Sequence, residues 1–146
     1  MTLFIDTTTN KKIFLMLANR SKIIYVKKIN LKNNEDSFLP AIQNFLNLSN
    51  LEIQKIFFLA INVGPKNQSG KLASFSGTRA GAAFANAIKM SQKINLISIS
   101  LKNMLNKQKI FGLIQNKIEQ KKFSKIILPK YSHEPNITRP KKTFAK

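Results

Sequence analysis

Residues 55–63, KIFFLAINV, are almost continuously apolar and lack in-and-out alternation. A strand with one wet face alternates, whereas a strand that reads like this is buried on both faces. Its chain must cover both sides of a sheet. Gly64-Pro65 ends the run. A polar loop follows, and then Ser-Phe-Ser-Gly leads into a helix built almost wholly from small residues, expected from Gly77 or Thr78 to about Gln92.

The flanking segments complete a mixed sheet. LFIDTT (3–8), KIFLMLAN (12–19) and IIYVKKINL (23–31) read as three strands with short connections, an antiparallel meander. Leu39, Ile42, Phe45 and Leu46 then follow helical spacing, with Pro40 in the first turn. Asn34 or Ser37 can cap this helix, and Glu35 and Asp36 suit its N-terminus. INLISIS (94–100) is a further buried strand. Ile110, Leu113, Ile114 and Ile118 mark a third helix, and KIILPKYS suggests a last strand. The order βββαβαβα predicts an α/β lobe over residues 1–130: a mixed five-stranded sheet with helices packed on it. Residues 131–146 are basic and carry no apolar period, so an extended or disordered tail is expected.

Composition narrows the chemistry. There is no cysteine, so disulfides and thiolate metal sites are excluded. The single histidine, His133, lies in the polar tail, which removes a histidine metal cluster and a Ser-His-Asp triad. No metal, cofactor or catalytic residue is expected. The N-terminus lacks a basic leader, and no apolar run approaches the ~20 residues needed to span a bilayer, so a cytoplasmic protein without membrane contact is expected. The charge is extreme: 25 Lys+Arg against 6 Asp+Glu, net +19. Such a field attracts RNA, although a lysine- and asparagine-rich coding bias explains the same count. A small basic RNA-binding module acting on tRNA or rRNA is therefore an alternative reading.

Two stretches could carry a site. Asp6, Thr7 and Thr9 end the first strand with a carboxylate and hydroxyls, a turn that can hold a magnesium-bound phosphate or simply bond its own backbone. The loop 66–73 contains Gly70-Lys71 but is followed by Leu72, so it is no phosphate-binding P-loop. Ser74, Ser76 and the amides before the helix could meet an anion, or Ser76 could cap the helix. Within the helix, Gly77, Gly81 and Ala85 stand four apart, as do Ala83 and Ala87. A stripe without bulk lets another backbone come close, either this chain's own sheet or a partner subunit.

These residues resemble the TsaB family. LFIDTTT, IFFLAINVGP and SFSGTRAGAAFANA correspond to a strand with D-T-S-T followed by G-P-G-S-F-T-G-L-R-I-G-x-A. Asp6, Thr7 and Thr9 match the first part; Gly64, Pro65, Ser74, Phe75, Gly77, Arg79, Gly81 and Ala83 match the second. The likeness covers about residues 2 to 105. It implies an actin-like ATPase fold of the sugar-kinase (ribonuclease H-like) class, with a degenerate nucleotide cleft in which Asp6, Thr7 and Thr9 are a vestigial phosphate loop. It also implies a non-catalytic subunit that supports a TsaD-like catalytic subunit in threonylcarbamoyladenosine modification of tRNA. Pairing would run through the first two helices, using Leu39, Ile42, Phe45, Arg79, Ala80, Gly81, Ala83, Phe84 and Ala87. A heterodimer with the TsaD-like subunit, a homodimer when alone, a TsaE-like ATPase in the same assembly and tRNA contact through the basic tail are the partners implied. The chain departs from the family in the seven extra residues between Gly-Pro and Ser-Phe, in Thr78 and Ala80 beside Arg79, and in lacking a second actin-like half.

Overall fold

The apolar segments become strands whose order in the sheet differs from their order in the chain. The structure, a computed structural model, describes residues 1–9, 11–31, 38–67, 69–103 and 105–131. Strands β1 (Thr2–Thr9), β2 (Lys12–Ala18) and β3 (Ile23–Asn30) form the expected antiparallel meander. Strand β4 (Phe58–Asn62) pairs with β1 in parallel, and β5 (Asn95–Ile99) pairs with β4 in parallel. The sheet therefore runs β3-β2-β1-β4-β5, which puts β1 and β4 inside it. Parallel neighbours need crossovers, and these are the helices.

Alternation along β1 and β2 divides the core into two layers. Leu3, Ile5, Ile13, Leu15 and Leu17 face helices α1 (Phe38–Leu48) and α2 (Phe75–Ser91). Phe4, Phe14 and Met16 face the other way, with Ile97, Ile99 and helix α3 (Lys107–Glu119), which seats Ile110 and Ile114 there. In β4, Leu59 and Ile61 join the first layer and Ala60 the second, which is why that segment reads as continuously apolar. Among the described residues no helix is long and apolar enough to cross a membrane.

Four expectations need correcting or bounding. Helix α2 begins at Phe75, not at Gly77 or Thr78, because Ser74 is its cap: Ser74 Oγ accepts from the Gly77 amide at 3.0 Å. Leu113 is 42% exposed, so it lies outside the stripe that Ile110 and Ile114 bury. KIILPKYS forms no strand over its described residues. Ser124 makes a single bridge to Leu96, and the chain then turns onto α2, where the Asn86 amide holds both the Ile127 N–H (2.8 Å) and its carbonyl (3.0 Å). The capping expected of Asn34 or Ser37, the placement of Glu35 and Asp36, and the tail from residue 132 onward lie outside the described residues.

Candidate functional site

The end of β1 is tied to the start of α2 by a buried polar network. Asp6 and Thr7 are each 4% exposed and Thr8 is fully buried. Asp6 Oδ1 accepts from the Thr8 amide at 2.9 Å and from the Thr8 hydroxyl, the local turn open to an aspartate at a strand end. Thr7 Oγ1 donates to the Gly77 carbonyl at 2.6 Å, and the Ser74 amide donates to the Thr8 carbonyl at 2.6 Å. Thr9 instead serves the hairpin, donating to the Lys12 carbonyl. The sequence points to Asp6, Thr7 and Thr9, but Thr8 is the residue that engages Asp6.

Asn62 joins the same network and was passed over in the sequence. It is fully buried at the end of β4. Its Nδ2 donates to the Lys66 carbonyl (2.8 Å) and to Thr8 Oγ1 (3.3 Å), and its Oδ1 accepts from the Gly64 amide (3.1 Å). The signal was a lone amide between Ile61 and Val63 in a run buried on both faces, where a polar group must find partners. Gly64 has φ +85°, and a Cβ there would lie 2.3 Å from the Lys130 carbonyl oxygen, so this position needs glycine twice over. The Gly64–Pro65 peptide is cis.

Among the described residues of loop 66–73, the side chain of Asn67 closes a turn. Its Oδ1 accepts from the amides of Ser69 (2.9 Å) and Lys71 (3.1 Å), and Lys66 bridges both Leu72 and Leu101. Asn67 and Ser69 thereby form one wall of a hollow whose other walls include Asp6, Thr9, Lys12 and Lys28. Its volume is about 100 Å³, below the ~300–1,000 Å³ typical of small-molecule sites.

Helix α2 turns its two small-residue stripes in opposite directions. Gly77, Gly81 and Ala85 face β1. A Cβ on Gly77 would stand 2.0 Å from the Thr7 carbonyl oxygen, and one on Gly81 2.5 Å from Thr7 Oγ1. The slimness of that stripe thus serves close packing on this chain's own sheet. Ala83 and Ala87 point outward and are exposed, with Arg79 and Phe75 continuing the line. Phe75 stacks on Tyr131 at 4.4 Å, and the Arg79 guanidinium lies 5.4 Å from the Phe75 ring centre. Ser76 is exposed and is not the cap.

The nine residues assigned to pairing divide accordingly. Phe45 is wholly interior, stacked on Tyr25 at 5.1 Å, and Gly81 is buried against Thr7. These two offer no side chain to a partner. Ile42 and Phe84 are buried but form the floor of an open groove between α1 and α2, and Leu39 and Ile88 also line it. Leu39, Arg79, Ala83 and Ala87 are exposed, and Ala80 is half-buried.

No protein-family model matches the sequence, and no curated protein matches it. Two solved structures from Pseudomonas aeruginosa match the fold: one described as an uncharacterized protein with similarity to peptidase YeaZ, the other as YeaZ. Each gives a TM-score of 0.55 at 15% identity over 68% of this chain. The chain spans 42% of the first and 43% of the second, less than half of either. At that identity the likeness concerns the fold alone: an α/β lobe with a mixed five-stranded sheet and helices packed on it, as in the YeaZ-like structures.

Proposed function

We propose that this chain is a non-catalytic partner subunit of TsaB type, supporting a TsaD-like transferase in threonylcarbamoyladenosine modification of tRNA. YeaZ is a name for TsaB, so the fold neighbours favour this reading over other actin-like roles. The observation that carries it is the outer face of α1 and α2. An open apolar groove with Ile42 and Phe84 at its floor runs beside the flat Ala83–Ala87 stripe. A groove next to a helix face without bulk suits a second helix pair, whose side chains enter the groove while its backbone approaches the alanines. With the TsaD-like subunit absent, the same face would pair two copies of the chain. A TsaE-like ATPase would join the assembly elsewhere.

The chain's own chemistry favours a supporting role. It has no cysteine, and its one histidine, His133, lies outside the described residues. Asp6 and the threonines at the end of β1 bond within the fold, and Asn67 and Ser69 line the hollow beside them. Light scattering on size-exclusion eluate tests the reading, with the protein alone and mixed with the TsaD-type transferase of the same organism. A one-to-one complex is expected. Two separate peaks across a range of salt would remove the reading.

A further inference from the structure

The strands β1, β4 and β5 begin at the end of the sheet opposite the threonine turn, and an open hollow lies there. Arg20, Phe57, Phe58 and Asn95 line it, with Thr2 behind them. The ring of Phe57 is 60% exposed. Phe58 stacks on Phe123 at 5.8 Å with the rings 29° apart, and Phe123 is itself 38% exposed. Lysines alternate with these rings. Lys55 precedes Phe57, Lys93 precedes Asn95, and Lys121, Lys122 and Lys125 flank Phe123; all five are exposed. The single bridge from Ser124 to Leu96 holds the Phe123 segment against the start of β5. Glu52 and Glu119 are the acidic side chains at this end among the described residues.

A protein-docking patch is normally a contiguous apolar surface with charge at its rim. Here three rings, two of them stacked on each other, are flanked in the sequence by lysines. Leaving a phenyl face in water is unfavourable, and a nucleobase can cover it without sequence preference, because every base has a π-face. Among the described residues, Arg20 forms no ion pair and the side-chain amide of Asn95 makes no hydrogen bond. The first can meet a phosphate or stack on a base, and the second can bond a base edge. We infer that this hollow binds single-stranded RNA, with one base stacked on Phe57 and the flanking phosphates on Arg20 and the neighbouring lysines. The site uses neither α1 nor α2, so it stands or falls separately from the pairing proposed above.

Fluorescence anisotropy with a labelled single-stranded RNA of ~10 nucleotides tests it. Phe57→Ala is expected to weaken binding about tenfold, Phe57→Tyr to retain it, and both to keep the wild-type circular dichroism, since the ring is exposed. The salt dependence separates stacking from charge. Phe57→Ala removes no cation and should leave the log–log slope unchanged, whereas Arg20→Ala should reduce its magnitude by about 0.7. The inference is overturned if the intact protein does not bind the RNA, or if Phe57→Ala binds as tightly as wild type. It is equally overturned if RNA duplex of the same length competes as well as the single strand. Displacement of the RNA by poly-glutamate at equal charge would point to an acidic polypeptide instead and would also overturn it.

Discussion

Gly77 and Gly81 set how closely α2 lies on β1, and Thr7 is the residue they accommodate. A methyl group at Gly81 meets Thr7 Oγ1, which can turn away only by giving up its bond to the Gly77 carbonyl. Alanine is the better helix former by about 1 kcal/mol, but overpacking costs about 1–3 kcal/mol and the lost hydrogen bond about 1 kcal/mol. Gly81→Ala should therefore destabilise the protein by about 1–3 kcal/mol. Gly77→Ala should cost more, because the obstructing atom is the backbone carbonyl of an interior strand. Urea unfolding midpoints check both, and a rise in the midpoint for Gly81→Ala would contradict the packing described. Phe45→Ala removes a fully buried ring stacked on Tyr25 and should cost about 3–5 kcal/mol by the same measurement. At this scale the sequence identified the polar end of β1 but not its wiring. Thr7, Thr8 and Thr9 are chemically alike, and only the strand's alternation sends the hydroxyl of Thr7 to α2.

The segment after α3 is held by side-chain hydrogen bonding and has no ladder of its own. Asn86 binds both polar groups of Ile127, whose side chain is 1% exposed, and the Lys130 amide reaches the Val63 carbonyl at 2.7 Å. Asn86→Ala loses two hydrogen bonds of about 1 kcal/mol each and should loosen residues 123–131 while the sheet stays intact. Trypsin should then cut at Lys125 and Lys130 faster than in the wild type, with far-ultraviolet circular dichroism unchanged. Equal cleavage rates would show that Asn86 is not the anchor. The apolar residues of KIILPKYS led the sequence reading to a strand, since β-branched residues favour one. The chain instead places Ile127 in the layer beneath α2, and Pro129 brings no N–H to a ladder. For helix α2 the period was legible and the start was not. Ser74 and Ser76 are equivalent as residue types, and the choice rests on which of them the chain, tied to Thr8, leaves in extended conformation.

For the molecule as a whole, the sheet decides which surfaces remain available. One face is filled by α3 and the other by α1 and α2, so the pairing surface proposed above reduces to the groove and the outward stripe of α2. Ala83→Arg places a long charged side chain on that stripe without touching the core. The proposed complex with a TsaD-like subunit should weaken by at least tenfold, that is by about 1.4 kcal/mol or more, with an unchanged unfolding midpoint, as measured by titration calorimetry and denaturation. Unchanged affinity would move the interface off this face. The sequence by itself determined the element types from β1 to α3, the antiparallel meander followed by helix–strand alternation, and the burial of β4 on both faces. Those properties are written in local periodicity, and one uninterrupted apolar run constrains two sides of a sheet at once. It also singled out the small-residue helix and the Gly-Pro boundary. Only the tertiary structure decided which small-residue stripe faces inward, that Phe45 and Gly81 belong to the chain's own packing, and that Asn62 and Asn86 join distant segments. These depend on the rotation of α2 about its axis and on contacts between residues far apart in the chain. Helical spacing groups residues into faces, but which face meets the sheet is fixed by the fit of Gly77 and Gly81 against Thr7.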